Sequence, residues 1–197
     1  MYLIFDCSAI DKPKNWKAPF SDTFSWPRMI HLSWIILDKD LKPTDNQDYI
    51  IKPEGFSMTE TIQKNSRIDE EDISRKSQPL DHVLSAFDKS LGDAYYVLAH
   101  NLNFNENVLA AEYLRKGINH SLFRKTRICL MQESTFFCKL PSKRGGYKWP
   151  TLSELHAIIF QKSYSPPNNA RADVIAATRC FKALKLGRQL DDLFDDE

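Results

Sequence analysis

Three β-type runs within the first 51 residues constrain the fold of this chain more than any other feature of its sequence. They cover residues 2–5, 29–37 and 48–51, and each combines Ile with other strand-favouring residues. The second run ends at the turn-like sequence DKDLKP, and the third ends at Lys-Pro-Glu-Gly. Because the runs lie close together in the sequence, they predict a three-strand meander.

Helical and β-type patterns alternate after the meander. The helical patterns cover residues 79–91, 104–114, 151–159 and 174–184, and the strand patterns cover 95–99 and 126–130. Thr151 and Glu154 form a capping box at the start of the third helix. This order of elements predicts an α/β fold in which helices pack on a mixed sheet.

The first β-type run ends in a single acid, Asp6, and four stretches of the chain then share one resemblance. They are YLIFD at 2–6, AHNLNFNENVL at 99–109, YKWPTLSEL at 147–155 and NNARADVIAATRCF at 168–181. Together they resemble the DnaQ-like (DEDDh) 3′–5′ exonucleases of the proofreading-subunit type. Four motifs in the right order are far more specific than any one of them.

The resemblance spans residues 1–185 and implies an RNase H-like fold. That fold has a mixed five-stranded sheet, a three-strand meander plus parallel strands, flanked by helices. Residues 186–197 are an acidic tail that we expect to be disordered. In the family, four carboxylates hold two divalent ions, typically Mg²⁺, and a histidine accepts the proton of the attacking water.

Only two of the five catalytic positions of the family keep their residue here. Asp6 matches the first acid and Asp173 matches the last. Ser8 stands where the family has Glu, Asn105 where it has Asp, and Asn168 where it has the general-base His. The resemblance therefore implies a degenerate catalytic site.

The lost charges predict weak catalysis or none. We expect at most one weakly held Mg²⁺ or Mn²⁺, between Asp6 and Asp173, because an Asn carbonyl at position 105 is a poorer ligand than a carboxylate. Asn168 cannot act as a base, and the loss of a general base costs about 10²–10⁴ in rate. Asp11 or Glu106 could replace a lost acid, although Glu106 lies about 100° around the helix from Asn105.

A basic segment before the third helix is a candidate nucleic-acid contact. Lys143, Arg144 and Lys148 flank Gly145 and Gly146, and Trp149 follows directly. Basic groups bind phosphates, and an exposed Trp can stack on an unpaired base of a single strand. A solvated loop is the alternative interpretation, since the net charge of +1 gives the whole chain no attraction to nucleic acid.

The tail contains a short pattern that resembles the bacterial sliding-clamp-binding motif with one extra residue. Its motif residues are Gln189, Leu190, Leu193 and Phe194. Such a segment can fold on binding and place its apolar side chains in a pocket of the clamp or of a polymerase. An acidic tail with a few stray apolar residues is the alternative.

The cysteines and the apolar pattern bear on location. The four cysteines form no CxxC pair, so we expect reduced thiols in a cytoplasmic protein. No stretch approaches the roughly 20 apolar residues of a membrane span.

Three functions follow from these observations. The first is an exonuclease homologue with weak or absent activity, retained as a nucleic-acid- or protein-binding module linked to DNA replication or repair. The second is an active 3′–5′ exonuclease with a reduced, single-metal site. The third is a structural partner of a sliding clamp or polymerase.

Overall fold

A five-stranded mixed sheet organises the molecule. The computed structural model describes residues 1–164 and 169–194. The strands are β1 (Tyr2–Ala9), β2 (Met29–Leu37), β3 (Pro43–Ile50), β4 (Tyr96–Ala99) and β5 (Thr126–Cys129). Their spatial order is β3-β2-β1-β4-β5. The first three pair antiparallel, and β4 and β5 run parallel to β1, which confirms the predicted RNase H-like sheet.

Helices cover both faces of this sheet. They are α1 (Glu60–Ser66), α2 (Glu70–Lys76), α3 (Leu80–Asp93), α4 (Leu102–Lys116), α5 (Leu130–Glu133), α6 (Thr135–Cys138), α7 (Leu152–Phe160) and α8 (Ala170–Leu186), with 3₁₀ turns at Leu122–Arg124 and Asp191–Leu193. Side chains of β1 alternate between two cores. Leu3 and Phe5 pack with α3 and α4, whereas Tyr2 and Ile4 pack with α7 and α8.

The register of the central strands sets the position of the acid at the end of β1. Ile4 pairs with Leu98 in the parallel β1–β4 ladder, so Asp6 and His100 lie side by side toward the carboxyl ends of these strands. On the other side of β1, Asp6 pairs with Ser33 of β2. Carboxyl ends of parallel strands are the usual place for a ligand site in open α/β sheets.

The third strand is longer than its sequence pattern predicted. The expected strand covered 48–51, but β3 begins at Pro43. Residues 43–47 are polar because β3 is an edge strand with much of its surface in solvent, so their pattern resembles a loop. The structure also places two short helices, α1 and α2, in residues 57–77, a polar stretch without a clear helical or strand pattern.

The start of the tail packs on the core. The sequence predicted disorder from residue 186, whereas α8 continues through Leu186 and residues 187–194 follow it against the sheet. Leu190 is buried, and the ring of Phe194 lies 4.9 Å from that of Tyr96. The apolar side chains of the segment explain this docking, since burying them removes apolar surface from water. Residues 195–197 lie outside the described residues.

This packing bears on the predicted clamp-binding motif. Leu190 and Phe194 are two of its four residues, and Leu193 packs against the same core. Clamp binding stays a prediction, and it requires these side chains to leave the core first.

None of the helices in the described part of the chain combines the length and apolar composition of a bilayer-spanning segment.

Candidate functional site

A cavity of about 410 Å³ opens at the carboxyl ends of β1 and β4. Elements β1, α1, α4 and α8 contribute its walls. Its lining includes Asp6, Ser8, Asp11, Lys12, Asn65, Ser66, His100, Asn101, Phe104, Asn105 and Asp173. The structure therefore brings together four of the five positions that the family resemblance singled out. Asn168, the fifth, lies outside the described residues.

The amide of Asn105 joins α4 to the end of β1. Its Nδ2 donates to Asp6 Oδ1 at 3.1 Å and to the carbonyl oxygen of His100 at 3.1 Å. Its Oδ1 accepts from the backbone N–H of Cys7 at 2.7 Å. These partners fix the orientation of the amide, because a carbonyl oxygen cannot donate and an N–H cannot accept. The side chain therefore presents a donor to Asp6, not the metal-ligating carbonyl that the sequence suggested.

Asp173 also has a protein donor. It lies in the first turn of α8, and its Oδ1 accepts a hydrogen bond from the hydroxyl of Tyr164 at 2.8 Å. Burial raises the pKa of Asp173, and the bond from Tyr164 and the nearby His31 oppose that rise in part. Burial and the bond to Asp173 raise the pKa of the Tyr164 hydroxyl, which stays protonated.

The two retained acids affect each other electrostatically. Burial and then the charge of Asp173 raise the pKa of Asp6 well above its ordinary value, and the bond from Asn105 lowers it in part. Two like charges in one cavity oppose full ionisation of both. Two neutral groups stabilise the pair: Asn105 donates to Asp6, and Tyr164 donates to Asp173.

Ser8 has a structural part in this site. Its Oγ accepts from the backbone N–H of Ala170 at 3.1 Å, at the first residue of α8. The side chain of Asn169 accepts from the N–H groups of Arg171 and Ala172. Helices begin with unpaired N–H groups, and these two side chains satisfy three of them. Ser8 thereby ties β1 to the helix that carries Asp173.

His100 connects the cavity to the segment that precedes α7. Its Nε2 lies 3.1 Å from the carbonyl oxygen of Pro150. Burial lowers the pKa of His100 to about 4, so the ring is neutral near pH 7. Nε2 then donates to Pro150, so His100 joins the end of β4 to the segment before α7.

The side chains that line the cavity do not provide the ligands of a two-ion metal site. Asp6 and Asp173 each accept a hydrogen bond from a protein group, and Asn105 turns an N–H toward Asp6. Within residues 1–164 and 169–194, no group of three or more His, Cys, Asp or Glu side chains is arranged to hold a metal ion. Asp11 lines the cavity, while Glu106 pairs with Arg127 at 2.8 Å. These residues do not fit a pair of divalent ions.

The predicted nucleic-acid contacts lie on a small hairpin before α7. Lys143, Arg144 and Trp149 are exposed there. Lys148 pairs with Glu154, so its charge is already matched within the chain.

Several lining residues were missed by sequence reasoning. Asn65 and Ser66 come from α1, whose start has one usable signal: Thr59 caps it by accepting from the N–H of Ile62. Tyr164 belongs to no recognisable motif. Trp16 was also missed: its exposed ring lies 5.9 Å from that of Phe104, which lines the cavity.

Comparisons with known proteins support the fold alone. No protein-family model matches this chain. No curated protein matches it either. Solved structures match it at low identity, and at such identities the similarity concerns the fold.

Exonucleases are among these structures, and three of them illustrate the similarity. E. coli exonuclease I in complex with a dT13 oligonucleotide matches with a TM-score of 0.70 and 15% identity, over 96% of this chain and 42% of that one. A zinc-bound form of the E. coli exonuclease I complex with single-stranded DNA gives 0.68 and 16%, over 96% and 42%. The nuclease domain of 3′hExo, a DEDDh family member bound to rAMP, gives 0.72 and 15%, over 94% and 92%. The chain thus spans well under half of exonuclease I.

Proposed function

We propose that this chain binds single-stranded nucleic acid through an exonuclease fold and hydrolyses it very slowly or not at all. The observation that carries the proposal is the pairing of both retained acids with protein donors, Asp6 with Asn105 and Asp173 with Tyr164. In the family that the sequence resembles, these acids face metal ions. Here a neutral amide and a neutral hydroxyl take that place.

The loss of charge supports slow hydrolysis. Two divalent ions need about four carboxylates to balance them, and the matching positions supply Asp6 and Asp173 alone. Ser8 is engaged with the start of α8. The family's general base is replaced by Asn168, and an amide has no basic lone pair near neutral pH. Each of these changes removes a part that phosphodiester cleavage needs.

The fold and the lining support retained binding. The matched exonuclease I structures are described as complexes with single-stranded oligonucleotides. In this chain, Lys12, Asn65 and Asn101 give the cavity polar groups that suit phosphate and base edges. Two carboxylates without a counter-ion repel phosphate, so the main contacts of a strand are expected outside the Asp6–Asp173 pair.

A working exonuclease with a single metal is the second candidate. Asp6 and Asp173 still face one cavity, and a cation between them would relieve the repulsion by Asp173 that, after burial, raises the pKa of Asp6. In that case the ion would displace the hydrogen bonds from Asn105 and Tyr164.

One assay separates the two candidates. A dT13 strand carrying a 5′ label is incubated with the purified chain in Mg²⁺, in Mn²⁺ and in EDTA, and both binding and strand length are measured. Our proposal expects binding in all three buffers and full-length strand throughout. Shortening that EDTA abolishes favours the single-metal enzyme, and absence of binding in every buffer contradicts the proposal.

A further inference from the structure

We propose that the hairpin before α7 is the surface that holds the single strand, with bases stacked on its aromatic rings and phosphates on its tip. The hairpin surface is defined by Phe136, Lys143, Arg144, Tyr147 and Trp149. This inference rests on the proposed function and names where on the molecule it is carried out.

Backbone hydrogen bonds make the hairpin a defined structure. Pro141 and Tyr147 form an antiparallel bridge, and the N–H of Lys148 donates to the carbonyl of Leu140 at 2.9 Å. Gly145 and Gly146 have φ values of +90° and +68°, a backbone conformation that favours glycine and closes the turn. The turn places Lys143 and Arg144 at its tip.

The aromatic rings of this surface are exposed to solvent. Phe136, Trp149 and Tyr147 expose 76%, 57% and 46% of their surface. The rings of Phe136 and Tyr147 meet edge to face at 6.1 Å between centroids. Several large exposed aromatic side chains on one short segment mark an interaction site. Their planar faces suit unpaired bases, whichever base is presented.

The charge of the surface selects an anionic partner. Lys139, Lys143 and Arg144 are exposed, and none of them forms an ion pair with a described residue. Lys148, in contrast, is neutralised by Glu154. Cations interleaved with flat rings match a strand that alternates phosphates with unpaired bases. A duplex keeps its bases stacked inside, and the side chains of Asp and Glu in an acidic peptide carry no rings.

Pro150 links the hairpin surface to the wall of the cavity. Trp149 is followed by Pro150, whose carbonyl accepts the hydrogen bond from His100 in the cavity wall. Thr151 then caps α7 through the capping box with Glu154, which fixes the segment on both sides. A strand held on the hairpin surface therefore reaches the mouth of the cavity while its phosphates stay on Lys143 and Arg144.

Tryptophan fluorescence tests this assignment directly. Of the four tryptophans, Trp26 and Trp34 are buried, while Trp16 exposes 47% of its surface and Trp149 57%. In a Trp16→Phe variant, Trp149 is the one exposed tryptophan of the described chain. Adding dT13 is expected to quench its emission, with an apparent affinity that falls as salt is raised.

Two matched pairs of variants make the test specific. Trp149→Ala should weaken dT13 binding about 5- to 150-fold, and the control Tyr95→Ala should leave it unchanged. Tyr95 exposes 64% of its surface and directly precedes β4, at the end of the sheet opposite the cavity. Lys143→Glu/Arg144→Glu should abolish measurable binding. The control Lys39→Glu/Lys42→Glu changes the net charge by the same amount, in an exposed turn at the opposite end of the sheet, and should leave dT13 binding unchanged.

The outcomes separate this inference from the proposed function. If the native chain binds dT13 and both hairpin variants bind as tightly as their controls, the hairpin assignment is overturned and the proposed function stands. If the native chain does not bind dT13, both fail. Quenching of Trp149 by an oligoglutamate peptide but not by dT13 also overturns the assignment, in favour of an acidic protein partner. Thermal melting of each variant verifies that it is folded.

Discussion

The amide nitrogen of Asn105 lies 3.1 Å from the carboxylate of Asp6, across 99 positions of the sequence. It joins the second motif of the exonuclease resemblance to the first by a neutral hydrogen bond. A neutral donor there stabilises one carboxylate but cannot balance several, and this difference leads to the predictions that follow.

Asn105→Asp should destabilise the chain when no metal is present. The new carboxylate would face Asp6 and the carbonyl of His100 in a buried position, and it would lose both donated bonds. We expect a loss of about 3 kcal/mol in the free energy of unfolding, measured by urea denaturation in EDTA. Mn²⁺ should restore part of this loss. The control is Asn103→Asp, the same change at an exposed position of α4. Equal stability of the two variants in EDTA would refute the argument.

Asp6→Asn should change how stability depends on pH. The folded-state pKa of Asp6 is raised, so the folded chain holds a proton that the unfolded chain has released. The free energy of unfolding therefore falls as pH rises from about 3.9 through the raised folded-state pKa. The variant lacks this contribution, so its stability relative to wild type should increase over that window. A constant difference between the two chains from about pH 4 to about pH 8 would show that Asp6 is not perturbed.

Tyr164→Phe should weaken the support of Asp173. The change removes the 2.8 Å hydrogen bond and leaves a largely buried carboxylate without that donor. We expect a loss of about 1–3 kcal/mol in unfolding free energy and a further rise in the pKa of Asp173, followed by carbon NMR of the Asp carboxyl groups. Tyr147→Phe, at an exposed ring, is the matched control. An unchanged Asp173 titration would mean that the hydroxyl does not contact it in solution.

The triple variant Ser8→Glu/Asn105→Asp/Asn168→His should regain chemistry. It restores every family residue at the substituted positions. We expect a melting temperature that rises with added Mn²⁺ and an EDTA-sensitive shortening of 5′-labelled dT13. The double variant without Asn168→His should gain the metal response and lag in strand cleavage by about 10²–10⁴. A folded triple variant that neither binds metal nor cleaves would show that the family positions are assigned incorrectly.

Buried elements of this fold could be predicted from the sequence more easily than exposed ones. Residues 29–37 are buried along their whole length, so their apolar run was readable as a strand. Edge strand β3 and helices α1 and α2 carry polar sequences, and their positions depend on backbone pairing and caps. The packing of residues 187–194 could not be predicted from composition, because acids outnumber apolar residues in the tail. Yet Leu190 and Phe194 are enough to dock it.

The site was predictable where a motif existed. Asp6, Ser8, Asn105 and Asp173 fall in motifs, and the structure places all four around one cavity. The direction of the Asn105 amide was not predictable, because it depends on which backbone groups surround it in the folded chain. The hydrogen bond from Tyr164 likewise joins a loop to a helix, and no local spacing indicates it.

The number of metal ions bound per chain is the decisive measurement. Mn²⁺ is titrated into the metal-free native chain near neutral pH, and the bound ions are counted by electron paramagnetic resonance. Because Asp6 and Asp173 are paired with neutral donors, we predict no more than one ion per chain, held weakly. Two tightly bound ions per chain, lost on Asp6→Asn, would contradict the account.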